Sequence, residues 1–94
     1  MEVALAIFYH ESVLKKDIPK LSSSVKDRIK NAIEDKVTSR PEVFGKPLRH
    51  SKKGYRKLRV GDYRVIFRMG EQNIKILVIG HRSSVYQMFE ARNT

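Results

Sequence analysis

The spacing of apolar and polar residues changes character several times along this chain, and each change predicts an element. Val3 to Tyr9 is an unbroken apolar run of strand length, which predicts a strand buried on both faces near the middle of a sheet. From His10 or Ser12 the period lengthens. Val13, Leu14, Ile18 and Leu21 recur at roughly helical spacing. Pro19 predicts a kink or an early end there, because proline removes a donor and crowds the preceding turn. Ser22-Ser23-Ser24 supplies N-caps for a second helix, which carries Val25, Ile29, Ala32, Ile33 and Val37 along one face. Arg40-Pro41 ends that helix. A loop follows through Phe44-Gly45-Lys46-Pro47-Leu48-Arg49.

The next stretch alternates with a period of two. Gly54-Tyr55-Arg56-Lys57-Leu58-Arg59-Val60-Gly61-Asp62-Tyr63-Arg64-Val65-Ile66-Phe67-Arg68 reads as two strands joined by a two-residue Gly61-Asp62 loop. That loop sets the register: Val60 opposite Tyr63, Arg59 opposite Arg64, Leu58 opposite Val65, Lys57 opposite Ile66. Leu58, Val60, Tyr63, Val65 and Phe67 then share one face. Tyr55, Lys57, Arg59, Arg64, Ile66 and Arg68 share the other. Two arginines directly opposed across strands are unfavourable, so the pair stores positive potential for an anion. After Gly70, Glu71-Gln72-Asn73 makes a turn, Ile74 to Ile79 forms another near-continuously apolar strand, and Ser83 to Arg92 a short terminal helix. The order β-α-α-β-β-β with a short C-terminal helix predicts an α+β fold. We expect a twisted, mainly antiparallel four-stranded sheet with the N-terminal helical hairpin on one face and the cationic face open.

Ninety-four residues make one domain, 1–94. A chain of this length buries only about 60–65% of its unfolded surface, so its core is modest. There is no cysteine, hence no disulfide framework or thiolate chemistry. His10, His50 and His81 show no metal-ligand spacing, and no metal or cofactor is expected. The longest apolar run is too short to span a bilayer. With no leader ahead of it, a cytoplasmic protein without membrane association is expected.

The net charge is +10, and nine Lys/Arg against one acid, Asp62, place +8 of it between Lys46 and Arg68. The stretch from His10 to Arg40 is mixed, with eight basic and five acidic residues. A focused positive patch concentrates polyanions, which makes nucleic acid the first candidate partner and an acidic protein the second.

These segments together resemble one family. Lys46-Pro47-Leu48-Arg49, the Gly54 to Phe67 hairpin, Ile79-Gly80-His81-Arg82 and Val85-Tyr86 resemble the RelE/ParE toxin superfamily, its RelE branch most. Lys16-Asp17-Ile18-Pro19-Lys20-Leu21 and the Ser39-Arg40-Pro41 to Phe44 stretch fit as well, so the resemblance covers nearly the whole chain. It implies the toxin of a type II toxin–antitoxin pair that enters the ribosomal A site and cuts the bound mRNA. By the same resemblance Lys57 and Arg64 match the basic residues of the two central strands, and Arg59 a basic position beside them. Arg82 matches the arginine after the last strand, and Tyr86 the tyrosine near the C-terminus. Some members carry a further lysine where this chain has Tyr55. The implied partners are a cognate antitoxin, the ribosome and mRNA, and operator DNA through the antitoxin complex only.

RNA cleavage without a metal uses the substrate's own 2′-hydroxyl, and needs cations on the phosphate, a base for the 2′-OH and an acid for the 5′-oxygen. Arg64 and Arg82 suit the phosphate, since guanidinium forks match its geometry. The base is open among three residues. Neighbouring positive charge favours a neutral amine on Lys57; Tyr86 stands in the same field; His81 is of the residue type that ordinarily titrates near neutrality. Lys46, Arg49, Lys52, Lys53, Arg56 and Arg68 are expected to hold RNA backbone, although alternation turns Arg56 to the apolar side. The alternative is a ParE-like inhibitor of DNA gyrase without ribonuclease activity, a branch that tends to lack the set Lys57, Arg64, Arg82 and Tyr86.

Overall fold

A computed structural model describes residues 6–37, 46–47 and 54–92. Its sheet has the strand order β1-β5-β4-β3-β2, with β1 at Ala6–Tyr9, β2 at Lys46–Pro47, β3 at Tyr55–Val60, β4 at Tyr63–Met69 and β5 at Asn73–His81. β1 runs parallel to β5, and the other neighbours are antiparallel. The α+β fold read from the sequence is therefore the observed one: four substantial strands, mainly antiparallel, with a two-residue edge strand, β2, where a loop was expected.

The N-terminal helical region is less regular than its spacing suggested. A π-helical stretch, Val13–Asp17, passes into a 3-10 turn, Ile18–Lys20, with Pro19 inside it. The tighter turn absorbs the missing proline donor and ends the helix by Leu21, as Pro19 predicted. Ser22 caps the next helix, α1 (Ser23–Ala32), its Oγ accepting from the Val25 amide at 3.4 Å. A further π-helical turn, Ile33–Val37, continues it. The Arg40-Pro41 terminator lies outside the described residues.

The helical layer and the inner face of the sheet enclose the main core. Val13, Ile29 and Ile33 meet Leu58, Val65, Phe67, Ile74, Ile76 and Ile79, all buried, with Val25, Leu21, Tyr9 and Val60 packed around them. Burying each large aliphatic or aromatic side chain contributes roughly 1.5–3 kcal/mol. Ile74, Ile76 and Ile79 come from β5, whose sequence is apolar on both faces because the strand lies between β1 and β4 and is covered on both sides.

Two expectations are corrected. The first strand lies at the edge of the sheet, not at its middle, and Phe8 is 55% exposed. Ile7 packs on the core side, and Phe8, opposite Lys75, points the other way. The cationic face is also not open throughout. The C-terminal helix, α2 (Val85–Arg92), lies across it and buries a second, smaller cluster of Ile66, Val78 and Val85, with Leu77, Met88 and Phe89 around them. Gly80 admits this helix. A Cβ there would stand 3.0 Å from the Met88 sulfur and 3.5 Å from the Val85 Cβ.

An ion pair ties down the far end of α2. Asp17, almost wholly buried, accepts from the Ile79 amide at 2.9 Å and from two nitrogens of Arg92, one at 2.7 Å. Arg92 Nη1 also donates to the Leu77 carbonyl at 3.0 Å. The hydrogen bonds to Asp17 raise the pKa of Arg92 despite its partial burial.

Candidate functional site

The hairpin pairs in the register that its two-residue loop predicts: Val60 with Tyr63, Arg59 with Arg64, Leu58 with Val65, Lys57 with Ile66. Gly61 has φ +59°, the left-handed value that a glycine-first turn requires. Its bare Cα also lets the Arg28 guanidinium of α1 come close, since a Cβ would stand 3.0 Å from Arg28 Nη2. Lys57, Arg59, Arg64 and Arg68 thus share the α2 side of the sheet, with Tyr55 and Ile66.

The opposed arginines differ in their surroundings. Arg59 is exposed, whereas Arg64 is half-buried and folds back onto the turn. Arg64 Nη1 donates to the Gly61 carbonyl at 2.9 Å and to its neighbour's, Tyr63, at 2.8 Å. Both bonds use one nitrogen of a fork that carries five N–H donors. Two carbonyl dipoles thereby fix the orientation of the guanidinium at the end of the hairpin.

Arg82 is brought to the same end. Its backbone N–H donates to the Asp62 carbonyl at 2.8 Å, which clips the turn after β5 against the hairpin loop. The chain then enters α2, with Ser84 accepting from the Met88 amide at 3.1 Å. Tyr86 emerges from the first turn of the helix, 37% exposed. Lys57 Nζ sits 5.6 Å from the centre of its ring, a cation–π contact. Lys57, Arg59, Arg64 and Tyr86 therefore gather on one face from two strands and a helix start, and the backbone of Arg82 is held at the hairpin end of that face.

His81 does not join them. Its register partner is Tyr63, whose ring it meets edge-on at 5.7 Å, whereas Arg64 pairs with Gly80. The histidine therefore lies on the helical-layer side of the sheet. Its Nδ1 accepts from the Ser83 amide at 3.1 Å and lies 2.8 Å from the Ser83 hydroxyl. Arg56 pairs with Phe67 and shares the core side, half-buried, as alternation required. Arg68 is exposed on the α2 side, with its guanidinium 5.6 Å from the Tyr55 ring centre. Lys46 pairs through its backbone with Lys57. Arg49, Lys52 and Lys53 lie outside the described residues.

Some participants escaped the sequence reading. Lys75 stands opposite Arg68 on the α2 side. Arg28 reaches the hairpin loop from α1. Phe89 meets Tyr55 edge-on at 5.2 Å. The alternation of β4 and β5 holds a signal for Lys75; Arg28 and Phe89 depend on tertiary placement that local sequence does not carry.

Residues 7–86 match the family described as the ParE toxin of the type II toxin–antitoxin system parDE. The chain belongs to this toxin family. Toxin RelE of Mycobacterium tuberculosis is 28% identical over 89 residues, which cover 89% of this toxin and 92% of the relative. The fold is that of a chain in the toxin–antitoxin complex RelBE2 from M. tuberculosis, with a TM-score of 0.76 at 24% identity over 88% of this chain and 97% of that one. An Escherichia coli RelE toxin carrying two arginine substitutions, solved in the free state, gives a TM-score of 0.73 at 24% identity over 96% and 98%. This chain is accordingly a toxin of the RelE/ParE type.

Proposed function

We propose that this toxin is an endoribonuclease that enters the ribosomal A site in the cytoplasm, cuts the bound mRNA and so stops translation. The observation that supports the proposal is the grouping of Lys57, Arg59, Arg64 and Tyr86 on the α2 side of the sheet, with the backbone of Arg82 held at the adjoining hairpin turn. The 2′-oxygen of the nucleotide before the cut loses its proton to a base and attacks the adjacent phosphorus in line. The bond from phosphorus to the 5′-oxygen breaks, and that oxygen takes a proton. The products are a 2′,3′-cyclic phosphate and a 5′-hydroxyl, with no metal or cofactor drawn upon.

Each residue has a part in this scheme. Arg64 and Arg82 hold the phosphoryl oxygens as negative charge builds on them. Arg59 adds positive potential beside them. Lys57 and Tyr86, in contact with each other, serve the two proton transfers; His81, across the sheet and engaged with Ser83, takes no part. The arrangement of Arg64 favours the assignment, because its guanidinium is oriented before any substrate arrives, which lowers the reorganisation needed in the transition state.

The toxin is held inactive by a cognate antitoxin, whose acidic residues meet the basic face. Contact with operator DNA runs through that complex. The RelBE2 neighbour is itself a toxin–antitoxin complex. Among the described residues no helix is long and apolar enough to cross a membrane.

The matched family description names ParE, and this supports a second reading, a gyrase inhibitor that cuts no RNA. Primer extension on mRNA from cells expressing the toxin separates the two. Discrete cuts within reading frames are expected; intact messages accompanied by a DNA-damage response would replace the ribonuclease by the gyrase inhibitor.

A further inference from the structure

β4 carries two like-charged cross-strand pairs on its α2 side. Arg64 faces Arg59 near the hairpin turn, and Arg68 faces Lys75 four residues further on. Four residues of strand separate the pairs by about 13 Å. Directly opposed like charges are unfavourable. The ion pairs among the described residues, Lys15–Glu11 and Arg92–Asp17, relieve neither. The first pair belongs to the site already described, and the second has the same signature without an assigned role.

The second pair borders a cavity of about 170 Å³, with Tyr55, Leu77, Phe89 and His10 as its other walls and Arg92 closing one side. Among the described residues no carboxylate lines it. Arg68 and Lys75 are exposed at its rim. His10 Nδ1 accepts from the Ser12 amide at 3.0 Å, which leaves Nε2 as the donor of that ring. The cavity therefore combines a cationic rim with an aromatic wall.

The same wall leads back to the proposed reaction centre. Tyr86 and Phe89 are three residues apart on α2 and so lie on one side of it. Tyr86 meets Lys57, and Phe89 meets Tyr55, which is two residues along β3 from Lys57. A track of alternating aromatic and cationic groups thus follows the β3 side of α2, from Lys57 and Tyr86 past Tyr55 and Phe89 to Arg68 and Lys75.

The geometry points to a second subsite for the RNA strand, in which Arg68 and Lys75 hold a backbone phosphate a few nucleotides from the cut and the Tyr55–Phe89 wall takes the adjoining ribose or base. This rests on the endoribonuclease reading and extends it. The aromatic wall favours a single strand over an acidic peptide, because bases have faces to lay against rings and carboxylates do not.

The test uses the Arg64→Ala toxin, so that the RNA survives, and a short fluorescent single-stranded RNA read by anisotropy across a salt series. Adding Lys75→Ala is expected to weaken binding severalfold and to flatten the log–log salt slope by about 0.7, while Lys75→Arg restores it. In the otherwise unaltered toxin, Lys75→Ala is expected to raise KM for programmed ribosomes with kcat unchanged. RNA affinity and slope equal to the parent's would overturn the subsite, as would RNA that does not bind, or a Lys75→Ala effect confined to a purified antitoxin. Failure of the ribonuclease reading shows separately, as an unaltered toxin that leaves programmed messages uncut while the Arg64→Ala protein binds the RNA with dependence on Lys75.

Discussion

The two sides of the sheet are built from the same strands and do different work. Among the described residues, nine buried ones form one core on the helical-layer side, whereas three do on the α2 side, and cations surround them. Neighbours on β4 illustrate the division: Phe67 points into the large core, Ile66 into the small one, and Arg64 and Arg68 flank Ile66 on the same side. A period of two lets a single hairpin supply stability to one face and charge to the other. The lesson is that the chemical face can carry its like-charge pairs because most of the stabilising burial is elsewhere.

The sharpest way to break this comparison is to truncate adjacent residues of β4. Phe67→Ala is expected to cost about 3–5 kcal/mol, a large part of the roughly 5–15 kcal/mol that holds a typical domain together. Ile66→Ala should cost about 2 kcal/mol, the low end for an aliphatic truncation. Urea denaturation of both variants measures the difference, and equal losses would show that the α2 side contributes as much as the main core.

The clasp that joins the sides comes next. Asp17→Ala strands the Ile79 amide and leaves Arg92 without its carboxylate, at an expected cost of about 3 kcal/mol. Amide exchange in Val85–Arg92 should accelerate more than exchange in β4, and uniform acceleration would mean that α2 does not depend on the clasp. Arg64→Ala should act on function alone. We expect cleavage of messages on programmed ribosomes to fall by about 10²–10³-fold with an unchanged denaturation midpoint; a variant that still cuts at the parent rate removes Arg64 from the reaction. The smallest expected effect is at the loop. Gly61→Ala forces a Cβ into the left-handed region at about 1–2 kcal/mol, while the flexible end of Arg28 moves aside. A cost near zero by thermal denaturation would show that the turn changes type freely.

The sequence carried the hairpin register, the α+β order and the cationic side of β3 and β4, because alternation and a two-residue loop are local signals. It did not carry the phase of β5. The pairing slips between Ile66 and Phe67, so that Ile66 faces Val78 and Phe67 faces Ile76. Leu77 is the extra residue, and both it and Val78 belong to the small cluster under α2. Beyond the bulge the faces exchange, which sends Ile79 and His81 to the core side and sets Gly80 opposite Arg64. Uninterrupted alternation from Lys75 would have placed His81 beside Arg64, and no residue type at 76–78 announces otherwise. The edge position of β1 was hidden for a similar reason: an apolar run of strand length reads alike whether one or two neighbours cover it.

The Asp17–Arg92 clasp has a consequence for how other chains can meet this toxin. β1 leaves β5 after Ile76, where the His10 amide makes the last bond to the Ile76 carbonyl. Beyond that point the outward backbone groups of β5 would be a template for an incoming strand. The Ile79 N–H and the Leu77 C=O are instead occupied by a carboxylate and a guanidinium. Side chains have sealed that margin, and a protein that lengthens the sheet must join it elsewhere.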